Sequence, residues 1–182
     1  MAIIKTNARS ASALDATILT GNLPAISGAS LTGVTGKILS INTAQVTDST
    51  TGNNTSFAEH DTDLRVSVTP QSTSSKFLIE YQTKTRQTAT TRFTSVRIYK
   101  SVAGGSFAGI EAAIHSFTGY NVGLADGHGH VIAKTIHSPN TTSALVFTPY
   151  VAVNTGDWEL GSRAADAQTN VVVTEYVTWL NI

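Results

Sequence analysis

The residues in this sequence best suited to chemistry are histidines. Asp126-Gly127-His128-Gly129-His130 sets two imidazoles two positions apart, and in an extended chain that spacing turns both to one side. Three copies about an axis would offer enough nitrogens to saturate an octahedral transition metal. The motif falls in a glycine-rich stretch between strand patterns, however, and a loop need not approach an axis. It reads as an exposed flexible loop; His128 and His130 stand as the metal candidate, and no cofactor is expected. His60, His115 and His137 read as surface or interface residues.

Catalytic patterns are weaker still. Gly104-Gly105-Ser106-Phe107-Ala108 lacks the last glycine of a nucleophile elbow and the strand-turn-helix that such an elbow needs, so it reads as a turn. Gly127-His128-Gly129 lacks the third glycine and following helix of a dinucleotide fingerprint. Asp61/Asp63 and Asp157/Glu159 are carboxylate pairs in or near loops, where solvated charge explains them without glycosidase chemistry. No catalytic residue is expected. Tyr120, Tyr150 and Trp158 lie at predicted loops or strand ends, where an aromatic face and a polar tip could form a shelf for a glycan. The competing reading packs Trp158 and Trp179 in the core or a subunit contact.

The elements that must position these residues are read from composition and pattern. The 182 residues are 41% hydrophobic, enough for one sizeable core, and carry no cysteine, which excludes a disulfide framework and thiolate metal sites. Charged residues make up 13%, about half the roughly 25% of an average soluble protein, and Thr, Ser, Asn and Gly take their place. Twelve basic residues balance twelve acidic ones without a Lys/Arg-rich run, so nucleic acid and anionic membrane are poor partners, and neither is expected. Met1 to Ser10 holds no apolar signal-peptide stretch, and no run of about 18 apolar residues follows. Synthesis in a cytoplasm without export or membrane insertion is expected, and the sequons at Asn53, Asn54 and Asn140 then carry no glycosylation meaning.

Residues 1–36 form neither a stable helix nor a strand ladder, and they read as an extended attachment arm. Leu23, Ile26, Leu31 and Val34 stand singly among turn formers and small residues, so burial by sister chains or a neighbouring protein is expected of them. From Lys37 to residue 182 short strands alternate with turn clusters at the roughly 8–12-residue spacing of a sandwich. About eight strands are expected. Candidates are 37–46, the alternating runs at 64–68 and 77–82, then 93–99, 110–117, 130–136, 144–153 and 170–180. Pro149 inside its run predicts an edge strand or a bulge. Val171, Val173, Val177 and Trp179 share one face of the last strand, and Val172, Tyr176 and Leu180 the other, which predicts a central strand or an interface.

The stretch Leu23-Pro24-Ala25-Ile26-Ser27-Gly28-Ala29-Ser30-Leu31-Thr32-Gly33 resembles the LPA-x-x-G-x-x-LTG linkers of tail-fibre-like proteins of tailed phages, marine and cyanobacterial ones especially. Thr69-Pro70-Gln71-Ser72-Thr73-Ser74-Ser75-Lys76 and Ser138-Pro139-Asn140-Thr141-Thr142-Ser143-Ala144 resemble segments of the sandwich modules that follow such linkers. The resemblance implies a homotrimeric, non-enzymatic virion protein: an all-β, jelly-roll-like antiparallel sandwich behind an extended N-terminal arm. Its partners would be other phage virion proteins, at the tail or baseplate or on the capsid, and a host-surface glycan. The chain departs from the family in lacking a long shaft. A capsid decoration, or cement, protein is the alternative expectation.

Overall fold

Phe77, Ile79 and Tyr81 alternate with Leu78, Glu80 and Gln82, and an extended backbone sends the two sets to opposite faces. In the computed structural model the first set is fully buried and the second faces outward. The structure describes residues 36–87, 94–110, 114–116, 127–154, 157–161 and 168–177. The predicted arm, with Leu23, Ile26, Leu31 and Val34, lies outside them, as do Tyr120, Trp179 and Leu180.

Twelve strands are described: β1 (Lys37–Val46), β2 (Thr50–Gly52), β3 (Ala58–Glu59), β4 (Val66–Val68), β5 (Lys76–Gln87), β6 (Thr94–Val102), β7 (Ala108–Gly109), β8 (Ile114–Ser116), β9 (Gly127–His137), β10 (Leu145–Val153), β11 (Trp158–Leu160) and β12 (Thr169–Val177). A 3-10 turn at Thr62–Leu64 precedes β4. All pairings are antiparallel, in two six-stranded sheets. Because β1 and β2, β3 and β4, β7 and β8, and β11 and β12 each stay within one sheet, the twelve segments act as the eight expected passes. The first sheet runs β1/β2, β12/β11, β5, β9, and the second β4/β3, β10, β6, β7/β8. Successive passes swap sheets, except that β7/β8 follow β6 within the second, in the manner of a jelly roll.

The core lies between the sheets. Phe77, Ile79, Tyr81, Val131, Ala133, Val171 and Val173 meet Val66, Val96, Ile98, Leu145, Phe147 and Val151. The Phe77 and Phe147 rings lie 5.5 Å apart at their centroids. Each such side chain, fully buried, contributes roughly 1.5–3 kcal/mol.

Three local expectations are corrected. The 64–68 strand begins only at Val66, because the Asp61 carboxylate accepts the Asp63 N–H at 2.9 Å and winds the preceding residues into the 3-10 turn. The expected strand at 110–117 does not begin at Ile110, which lies between β7 at Ala108–Gly109 and β8 at Ile114–Ser116. Pro149 is neither on an edge nor at a bulge: β10 pairs with β6 along its whole length and with β4 and β3 on the other side. The Pro149 carbonyl accepts from the His60 N–H at 3.0 Å. Its N–H-less nitrogen faces the same way, into the interval where the neighbouring chain passes between β3 and β4, so no ladder bond is lost.

The sandwich has two unlike ends. Register places Lys37 beside Val177, Phe77 beside His137 and Leu145 beside Val68, so the chain enters where the 69–75 and 138–144 crossovers join the sheets. Glu175 clamps the first crossover: its carboxylate, 1% exposed, accepts from Ser75 Oγ at 2.6 Å, the Gln71 N–H at 2.7 Å and Ser40 Oγ at 3.2 Å. The second crossover turns at Asn140, φ +54°, and the Thr141 hydroxyl accepts the Ser143 N–H at 3.1 Å. The strand ends flanking 53–57, 88–93, 117–126 and 154–157 all lie at the other end.

Candidate functional site

The outer face of the second sheet carries the richest grouping of aromatic and charged side chains among the described residues. Alternation along β6 sends Val96 and Ile98 inward and Arg97 and Tyr99 outward, and on β10 it sends Tyr150 outward opposite Arg97. The Tyr99 and Tyr150 rings stack with centroids 3.9 Å apart and planes 16° from parallel. Phe57, at the end of the 53–57 loop, lies 6.3 Å from Tyr99, and Phe107, ahead of β7, lies 6.1 Å from Tyr150.

Charges frame these rings. Arg65 grips Glu59 through two hydrogen bonds of 2.7 Å, and Glu59 also accepts the Thr148 hydroxyl at 2.9 Å. The Arg65 hydrogen bond holds the Glu59 carboxyl below the usual carboxylate range, against the opposing effect of burial. Burial pushes the Tyr150 phenol up, so it stays protonated as a hydrogen-bond donor. The Arg65 guanidinium stands 5.1 Å from the Phe107 ring centre, and that of Arg97 stands 5.7 Å from Tyr99. Arg97 lies across Gly109, where a Cβ would collide with the guanidinium, and its Nε is buried without a hydrogen-bond partner among the described residues. Rings, a carboxylate and guanidinium forks on one flat face suit the apolar and hydroxyl surfaces of a saccharide.

Of the predicted glycan contacts, Tyr150 belongs to this face. Trp158 does not: at 5% exposure it packs against His60, ring centroids 6.0 Å apart, and donates from Nε1 to Asn54 Oδ1 at 3.2 Å. A ring so enclosed presents no shelf, and the core reading of Trp158 is the one observed. Tyr120 lies outside the described residues.

The His-x-His motif is not a loop. Gly127 through His130 open β9, with His128 opposite Arg86 and His130 opposite Lys84. Glycine content suggested a loop, but eleven ladder positions on β5 hold the segment extended. The His130 side chain is exposed, and that of His128 is outside the described residues. Among the described residues no three His, Asp or Glu side chains gather as a metal site. Gly104 and Gly105 form the turn after β6, as expected, with the Gly105 N–H donating to the Val102 carbonyl at 2.9 Å.

His60 is a correction of another kind, for it is a core residue at 7% exposure. Its Nδ1 meets the Tyr81 hydroxyl at 3.0 Å and its Nε2 the Thr50 hydroxyl. Burial lowers its pKa to about 4, opposed by the nearby Asp61 charge. Nothing in the local sequence separates it from a loop histidine. Glu175 does leave a sequence signal: it interrupts the inward series Val171, Val173, Val177, where a carboxylate must find donors.

No protein-family model matches the chain, and no curated protein matches it.

Proposed function

We propose that the chain is a structural, non-enzymatic component of a tailed-phage virion. It is a homotrimeric fibre-like appendage that docks to other virion proteins through residues 1–36 and displays its sandwich outward. The aromatic face around Tyr99 and Tyr150 is offered to a host-surface glycan. Synthesis takes place in the host cytoplasm, and no described helix is long and apolar enough to cross a membrane.

The observation that carries this reading is the polarity of the sandwich. The chain enters at Lys37, at the end held by the Glu175 clamp and the Asn140 turn, and the strand ends flanking 53–57, 88–93, 117–126 and 154–157 lie at the other end. An appendage anchored at one end and presenting the other has this layout. Jelly rolls serve in viral shells and lectins alike, so the fold agrees with the reading but does not select it.

The second reading, a decoration protein on the capsid, is favoured by one feature. The sequence carries no long helical or repeated-strand pattern from which a shaft could be built.

Deleting residues 1–36 tests the docking role. Every member of the described core comes after Lys37, so the truncated chain is expected to keep its strand circular dichroism and to be missing from purified particles. Undiminished incorporation would place docking elsewhere, and an unfolded product would make the arm part of the core.

A further inference from the structure

Among the described residues five large apolar side chains are exposed, and four of them lie on one surface. Ile38 and Ile41 of β1 are each 61% exposed, and Ile132 and Ile136 of β9 are 63% and 57% exposed. All four stand on the outer face of the first sheet. Ile132 and Ile136 share it because they are four apart on a regular strand. Ile38 and Ile41 are three apart and would ordinarily oppose one another. The register shift between Ile38 and Ser40 adds a residue to β1 and turns both outward, opposite Tyr176 and Thr174.

The two pairs sit on the two edges of the sheet. Three strand spacings, roughly 14 Å, separate them, with β5 and β12 between. Leu78, Val172 and Tyr176 continue the apolar surface at half-buried positions. Between Ile132 and Ile136 on β9, Lys134 is already paired with Glu80 of β5 at 2.7 Å, so its charge is balanced within the chain. A shallow depression of about 350 Å³ lies between Gln45, Gln82, Ile132 and Asn170.

We infer that this face is the contact between copies of the chain, the β9 isoleucine pair of one copy packing against the β1 pair of the next, with the first sheet turned toward the threefold axis. The inference rests on the trimeric reading and names its interface. A contact of one patch with a different patch repeats around a ring, whereas a two-fold contact would put each patch against the same element in its partner. A second copy is the fitting occupant because each chain carries both apolar halves, one on each edge strand. Four strands by nine residues span roughly 19 Å by 30 Å, on the order of 600 Å² before side-chain relief, and the ring divides that face between two neighbours. Each contact therefore takes about half of that, on the order of 300 Å² a side, less than the roughly 800 Å² each partner gives to a standard interface. The contact also covers two open strand edges, which a lone sandwich would leave available for chance pairing.

The test is light scattering on the full chain at micromolar concentration. The native protein should show three times the 19.1 kDa of one chain. Ile132→Lys with Ile136→Lys on one edge, and separately Ile41→Lys on the other, should each reduce the mass to that of a single folded chain. Circular dichroism should be unchanged, since all three positions are more than half exposed. Ser67→Lys, on the outer face of the second sheet, should leave three copies together. Native and variant chains all scattering as trimers would overturn this interface and leave the trimer standing. A monomeric native chain would overturn both.

Discussion

The Nδ1 nitrogen of His60 lies 3.0 Å from the Tyr81 hydroxyl, and both side chains are sealed between the sheets. With the Thr50 hydroxyl at Nε2, a neutral imidazole has one hydroxyl donating to its bare nitrogen and the other accepting from its N–H. Burial opposes a positive charge there and lowers the pKa to about 4. Unfolded, the same ring titrates near the ordinary 6.5, so between these values the unfolded chain binds more protons than the folded one. Stability from this group is therefore fully present above about pH 6.5 and is lost as pH falls toward 4, on the order of 3 kcal/mol in all. Urea midpoints at about pH 7 and about pH 4.5 should show the fall, and His60→Gln should flatten the slope across that window. An equal slope in the variant would assign the acid sensitivity to other groups.

Glu175→Ala should be among the costlier single substitutions. It strips the acceptor from the Ser75 hydroxyl and the Gln71 N–H, and leaving such buried donors unpaired costs about 1–3 kcal/mol each. A total near 3 kcal/mol lowers Tm by roughly 6–12 °C in a domain of this size. Ser75→Ala, which leaves the carboxylate its other donors, should cost about 1 kcal/mol. Calorimetry on the two variants checks the order.

Two glycines with nearly the same backbone should respond differently to alanine. Gly104 has φ +76° and open space where a Cβ would stand, whereas Gly161 has φ +77° and would bring a Cβ to 2.6 Å from the Asp48 carbonyl oxygen. Left-handed backbone alone costs about 1–2 kcal/mol for alanine. Gly104→Ala should lose about that much, and Gly161→Ala clearly more, as read by chemical denaturation.

Chelation should not change stability. The exposed His130 stands opposite Lys84 on β9 and β5, where a neighbouring ammonium disfavours a bound cation. Melting curves with and without EDTA should coincide, and a clear downward shift would restore His128 and His130 as ligands.

The jelly-roll passes were legible because apolar alternation is a local signal: residues 77–82 declare their inner face without reference to the rest of the chain. What was misread depends on partners far away in sequence. Pro149 looked like an edge residue, yet its missing N–H falls opposite the gap between β3 and β4, a fact of topology. The glycines around His128 suggested a loop, but β5 supplies a full ladder for them. The second-sheet aromatic face was visible only at Tyr150; Phe57, Tyr99 and Phe107 join it from a loop, a neighbouring strand and the approach to β7. His60 carries no local mark of burial, whereas Glu175, set in a valine face, does.

Membership of a virion is tested most directly by electron microscopy of intact particles with gold-labelled antibody to the sandwich. The expected result is label clustered at the tail or baseplate, lost when residues 1–36 are deleted. Label spread over the head would favour the decoration reading, and particles carrying no label at either place would contradict a virion role altogether.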